Sequence, residues 1–353
     1  MAKLKQEYVS FEETNIIKGI LMLLVIAGHC HYLIPIDSLP FRYLYHFHVF
    51  CFFILPFFYD KRNNFTFSKI KNTIIKCYVP YFFFFVLCTI IYLMVDKSWG
   101  DYNGGKSVLA FFIGNDQLLK TQTGFYYLWF LPTFCSFTII KYFFENRYNK
   151  DDKNKFIAFT LAMLIVITFF ILPEKKVLFI SSVVPFAITR ALYLFSCGFV
   201  TYLLAKIPYG KYVGGIVFVV LSFLYLLNNG KIIVPIYLFP ATAFLFLLSI
   251  KGIVMQILNI HHLQLFGKFL QLLGKLSFPI YLVHVIIYNV LEKLFNYTVL
   301  NSIITFLLTI LLSIAAAMLM NKISLIQKLV LPKGYNDFKS LFVKAVRNPQ
   351  ENS

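Results

Sequence analysis

Between Asn15 and Ile34 the chain reads NIIKGILMLLVIAGHCHYLI, an apolar run that carries Lys18 and His29. Ionisable groups inside lipid are costly and mark functional sites by default. On an α-helix, eleven residues turn the chain to within about 20° of the starting face and advance it by roughly 16 Å. Lys18 and His29 therefore share one stripe, the lysine near one end of the run and the histidine in its other half. A histidine there can exchange a proton near neutral pH, and a lysine can hold an anion.

Further groups of this kind recur. In YLYHFHVFCFFILPFF, His46 and His48 are two residues apart, so on a regular helix they diverge by about 200°. His48, the deeper of the two, is the candidate, and Pro56 is placed to bend the segment. Arg190 in TRALYLF is always charged and must face protein, water or an anion. In SFPIYLVH, Ser277, Tyr281 and His284 are spaced four and three apart, a polar stripe that suits either helix–helix contact or a site. Trp129 in YYLWFLP is read as an interfacial anchor or a wall of a site. Acidic residues are nearly absent from these runs, which disfavours proton-coupled transport and cation channels. Cations and histidines suit an anionic ligand and acid–base chemistry.

Such residues need a membrane scaffold to position them. Of 353 residues, 59% are hydrophobic and 14% charged, against roughly 25% charged in soluble domains, and the mean hydropathy is +0.74. The expected fold is an all-α polytopic membrane protein with about ten transmembrane helices. The spans are expected at 16–34, 43–59, 74–95, 125–144, 156–172, 183–205, 212–228, 232–250, 276–292 and 299–320, each near the length a bilayer needs. Only Asn229 to Lys231 separate the seventh from the eighth, which predicts a tight helical hairpin. Residues 251–275 are read as a connection. The 96–124 segment is read as a re-entrant or interfacial element or a plain loop.

The net charge of +18 comes from loops rather than one stripe, which excludes nucleic acid as the partner. Outside the spans, Lys and Arg fall almost three to one on the side of the N-terminus, so both termini are expected in the cytoplasm. The domain boundary is placed after residue 330, with 331–353 a basic cytoplasmic tail. Six cysteines without CxxC spacing read as small buried hydrophobes, with neither a disulfide nor a metal framework. The first apolar run lacks the features of a cleaved signal.

In order along the chain, these motifs resemble the acyltransferase-3 family of integral membrane acyltransferases, in particular its fucose 4-O-acetylase-like branch. The resemblance rests on KGILMLLVIAGH, the basic residue, ten residues, then histidine. It rests also on FHVFCFFILPFF, KCYVPY with Lys76, Pro80 and Tyr81, and the Trp-Phe-Leu motif at Trp129. RALYLFSCGF, with Arg190 and Gly198, and SFPIYLVH complete it. It runs from about residue 11 to 320. The family's Ser-Gly in the second helix is replaced by Pro56 and Phe57, and its Met-Pro by Val49 and Phe50.

The resemblance implies transfer of an acyl group, usually acetyl, from cytosolic acetyl-CoA to a hydroxyl of a carbohydrate. The acceptor would be a surface polysaccharide sugar or a lipid-linked glycan, and the location a bacterial inner membrane. In that reading His29 is general base or acyl carrier. Lys18 and Lys76 contact the donor's phosphates or pantetheine, and His48, Trp129, Arg190, Ser277, Tyr281 and His284 shape the site. No metal is expected, and a homo-oligomer is left open. The competing class is a transporter or flippase for a polysaccharide precursor; succinyl transfer is the variant within the family.

Overall fold

A computed structural model of the chain describes residues 9–58, 66–95, 102–148, 152–171, 186–231, 238–295 and 298–347. Every regular element among them is helical. Seven helical stretches are long and apolar enough to cross a membrane, or eight if one bent pair is a single span. The first helix, α1 (Phe11–His29), is outside that set, because Glu12, Glu13 and Lys18 put three charges into nineteen residues. Parts of the expected spans 183–205 and 232–250, and the end of 156–172, lie outside the described residues. The chain divides into two compact units, Met1–Lys61 with Leu194–Ala317, and Arg62–Tyr193 with Met318–Ser353.

In the first unit, α1 starts on a capping box. The Ser10 hydroxyl accepts from the Glu13 backbone N–H, and the Glu13 carboxylate accepts from the Ser10 N–H. Glu13, which precedes the expected span 16–34, also takes the Lys251 ammonium at 3.0 Å. Burial opposes its ionisation, but the Ser10 N–H and Lys251 outweigh this and hold its carboxyl below the ordinary range. At the same end, Gln271 donates to Glu12.

The second expected span is broken. Helix α2 (Leu39–Tyr45) stops, Phe47 leaves helical geometry at φ −143° and ψ −32°, and α3 (His48–Ile54) restarts before a 3₁₀ turn over Leu55–Phe58 that holds Pro56. The break lets His46 and His48 serve different neighbours. His46 faces Tyr225 and Phe239, whereas His48 faces Tyr45 with ring centroids 5.0 Å apart.

Further along the chain, in the same unit, come α10 (Gly210–Leu227) and α11 (Leu238–Leu258). These two pack as the expected antiparallel-type neighbours through Gly214 and Gly215, where an added Cβ would meet Leu245 and Ser249. Residues 232–237 of the expected eighth span lie outside the described residues, and the described helix runs from Leu238. Residues 251–275, read as a connection, instead complete α11 and then form an amphipathic helix, α12 (Gln264–Lys275).

Helix α12 is the chief partner of α1. A Cβ on Gly19 would run into the backbone of Leu270, and one on Gly274 into the backbone of Asn15. Reciprocal glycines thus bring the two backbones into direct contact, as small residues do between membrane helices. A bend of 87° at Leu276 then leads into α13 (Ser277–Leu294). Met22, Val25 and Ile26 of α1 are buried with Leu273, Ile280 and Tyr288, together with Ile310 and Ile314 of α14 (Val299–Lys322). Its other side, at Ile17 and Leu21, joins a core with Cys51, Ile54, Phe58 and Phe244. With both faces of α1 covered, its rotation, and so the direction of His29, is fixed.

The second unit is built on α4 (Phe67–Val95), whose twenty-nine residues make roughly 43 Å of helix. The 96–124 segment, read as a re-entrant or interfacial element or a plain loop, contains two short helices, α5 (Gly104–Ile113) and α6 (Asp116–Thr123). Asn103 and Asn115 cap their starts, and Gly114 and Gly124, at φ 67° and 72°, end them. Tyr81 anchors this region: it is fully buried, stacks on Phe111 and donates to the Phe111 carbonyl. Then come α7 (Phe130–Tyr148), α8 (Asp152–Ile171) and α9 (Phe186–Lys206), whose residues from Leu194 onward belong to the first unit. The tail forms α15 (Ser324–Val330) and α16 (Tyr335–Arg347). It is fastened to α4 by the Lys71 ammonium over the Tyr335 ring and by the Tyr335 N–H to Asn72.

Candidate active site

Three histidines from three helices of the first unit gather around the end of α1. His29 is the last residue of that helix and is 6% exposed. The His284 ring of α13 stands against it at 5.1 Å between centroids and 63° between planes. Tyr45 closes another side of His29 at 6.3 Å, and it packs in turn on His48. Both His48 and His284 are fully buried. Gly28 packs beside this group: a Cβ there would press on the Tyr45 ring at 3.3 Å and lie in ordinary contact with the His48 Nε2 at 3.7 Å.

Backbone carbonyls set the tautomers. His48 Nδ1 meets the Leu44 carbonyl, and His284 Nδ1 meets those of Tyr281 at 2.8 Å and Ile280 at 3.2 Å. A carbonyl only accepts, so each Nδ1 carries the proton and each Nε2 presents its lone pair. The His48 Nε2 is buried and has no hydrogen-bond partner among the described residues. A buried acceptor left in that state is costly, and a substrate hydroxyl is the kind of donor that would relieve it. Imidazoles so oriented can take a proton from a hydroxyl or accept an acyl group at nitrogen.

Lys18 lies half-buried on the same unbroken helix, three turns before His29. Tyr281 packs beside His284 at 5.8 Å. Ser277 is the first residue of α13, at the bend, and no hydrogen bond among the described residues joins it to the histidines. His31, which the sequence reading passed over, follows the cluster by two residues and touches Phe41 and Tyr288.

The remaining candidates belong to the second unit. Arg190 and Trp129 form a pair, the guanidinium carbon 4.1 Å from the indole centroid, with Phe186 at 4.5 Å on the same guanidinium. Asp116 completes the group with an ion pair of 3.1 Å to Arg190. It was not foreseen, because nothing near it in sequence points to a partner 74 residues away. Lys76 stands exposed on α4.

A polytopic helical bundle with orientation-locked imidazoles around one helix end is a membrane protein equipped for proton or acyl transfer. Family comparison then narrows that class. The sequence matches the acyltransferase-3 family, described as an acyltransferase domain, over residues 11–322. The chain belongs to this family and is an acyl-transferring membrane enzyme. No curated protein and no solved structure matches it.

Proposed function

We propose that the protein is a membrane O-acyltransferase that moves an acetyl group from cytosolic acetyl-CoA to a hydroxyl of a surface polysaccharide sugar. The bilayer would be a bacterial inner membrane, crossed about ten times with both termini cytoplasmic, as the loop charges suggest. The observation that carries this reading is the placement of Lys18 and His29 on one helix, with His29 against His284. The roughly 16 Å between the two levels suits a thin donor arm held by its anionic end near Lys18, with its thioester toward His29.

In the direct route, an imidazole of the cluster takes the proton from the acceptor hydroxyl as its oxygen attacks the thioester carbonyl. The new C–O bond forms and the C–S bond breaks. The thiolate leaves and takes up the proton held by the imidazole. In the stepwise route the His29 nitrogen attacks the thioester first, the C–S bond breaks and the imidazole N–H proton leaves with the thiol; the acetyl group then passes to the acceptor oxygen, whose proton returns to the imidazole. Proton transfer of this kind contributes about 10²–10⁴ in rate. His48, Tyr281 and His284 would steady the developing charge, and Ser277 would bind from the start of α13. Lys76, Trp129 and Arg190 are proposed ligand-binding residues of the second unit.

The test is calorimetric binding of acetyl-CoA to the purified protein, followed by mass spectrometry of glycan incubated with it. Binding and a gain of one acetyl mass are expected. A protein that ignores acetyl-CoA yet moves a lipid-linked glycan across vesicles is a flippase, and a gain of one succinyl mass only when succinyl-CoA is supplied instead would change the donor.

A further inference from the structure

Helix α13 carries more polar groups on its stripe than the transfer step uses. Beyond Ser277, Tyr281 and His284, the same spacing continues through Tyr288 and Glu292. Glu292 lies two turns past His284, about 12 Å along the helix. The Tyr288 hydroxyl donates to Glu292 Oε1 at 3.1 Å and accepts the Tyr32 backbone N–H at 3.2 Å. The Tyr32 hydroxyl donates to the Glu292 carbonyl at 3.2 Å. These bonds fasten the turn that follows His29 onto the end of α13.

Two polar atoms are left over. Glu292 Oε2 meets neither a cation nor a hydrogen-bond donor among the described residues. His31 Nδ1 is buried and has no partner among them. A buried polar atom without a partner, such as this Nδ1, calls for a ligand or water, and the half-buried Glu292 carboxylate is open to the same ligand. Around them runs a sequence of rings. His31 is 6.0 Å from both Phe41 and Tyr288, Phe41 packs on Tyr45 at 4.2 Å, and Tyr45 leads to His29. His31, Tyr32 and Glu292 are only half-buried, and Ile36, in the next stretch of chain, is 57% exposed.

We infer that Glu292 and His31 form an acceptor subsite that binds an uncharged, hydroxyl-rich part of the glycan, away from the reacting hydroxyl. A carboxylate makes strong charge-assisted hydrogen bonds with hydroxyls, aromatic rings cover the C–H faces of a sugar, and the same carboxylate repels an anionic group. The inference rests on the transferase reading above. Two turns of separation from His284 make this a site for acceptor binding rather than for the chemical step.

The experiment measures acetyl transfer from labelled acetyl-CoA to the source strain's surface polysaccharide, stripped of esters by mild base. Glu292→Gln keeps an acceptor for the Tyr288 hydroxyl, so a merely fastening role predicts little change. His31→Phe keeps an aromatic ring, larger by one atom, and removes both nitrogens. Each is expected to raise the acceptor KM at least tenfold while kcat and the acetyl-CoA KM stay within twofold. Wild-type acceptor KM in both variants overturns the subsite and leaves the transferase reading intact. Parallel loss of acetyl-CoA binding also overturns it, because the groups would then support the fold. If the wild-type protein itself neither binds nor turns over acetyl-CoA, the transferase reading fails first and the subsite falls with it.

Discussion

The ring of His284 stands edge-on to that of His29, 5.1 Å away, with its Nδ1–H tied to the Tyr281 carbonyl. One helix supplies the group at the end of α1, and another supplies a neighbour whose tautomer is fixed by backbone. His284→Gln keeps a polar side chain of similar reach but removes the basic nitrogen. Its kcat is expected to fall by about 10²–10⁴ with little change in acetyl-CoA affinity, measured by steady-state kinetics and calorimetry. His48→Gln, with the Nε2 near Gly28 removed, should act in the same direction.

The reciprocal glycines between α1 and α12 set where His29 lies. Gly274→Ala places a methyl into the Asn15 backbone, and Gly19→Ala does the same at Leu270. Backbone cannot step aside as a flexible side chain can, so each change is expected to cost about 1–3 kcal/mol or more. A lowered melting temperature in detergent and a loss of transfer are both predicted. Gly252→Ala, where nothing lies within 4 Å of the added carbon, is the control and should keep transfer and hold or slightly raise the melting temperature.

The Glu13–Lys251 ion pair gives a pH dependence of known sign. The folded-state carboxyl is held below its ordinary value, so its contribution is complete above the ordinary carboxylate range. It is lost as pH falls through the lowered value. The pair is partly exposed, which limits it to about 1 kcal/mol at most. Glu13→Gln keeps the helix cap and should melt slightly below wild type at pH 7, with the two curves converging as acid protonates the wild-type carboxyl. A difference that persists unchanged to low pH would contradict the assignment.

Arg190 is held from two sides, by the Trp129 face and by Asp116. Lysine keeps the charge but cannot stack as a plane or present the guanidinium fork. Arg190→Lys is therefore expected to lower kcat/KM at least tenfold, and Asp116→Asn to lower it less, because the stacking survives. Wild-type activity in Arg190→Lys would mean that the charge alone matters.

Much of the site was legible where local geometry decides it. Helical pitch alone put Lys18 and His29 on one face, and α1 is one continuous helix. The spacing of His46 and His48 implied different surroundings, and depth favoured His48. The break that separates them at Phe47 has no glycine or proline to announce it. Helix α12 was missed because Lys268 and Lys275 made its segment look like a basic connection; its glycines gain meaning only against α1. Asn103, Gly114, Asn115 and Gly124 were signals for two short helices in the 96–124 segment and passed as loop residues. Asp116 acquires its partner far away in sequence, at Arg190, and no single-sequence pattern carries such a pair.

The most direct test concerns His29 itself. Wild type and His29→Ala, purified and matched for melting temperature and acetyl-CoA binding, would be given labelled acetyl-CoA and de-esterified surface polysaccharide. The account predicts labelled glycan with wild type and a loss of about 10²-fold or more with His29→Ala. Transfer at the wild-type rate by the variant would contradict it.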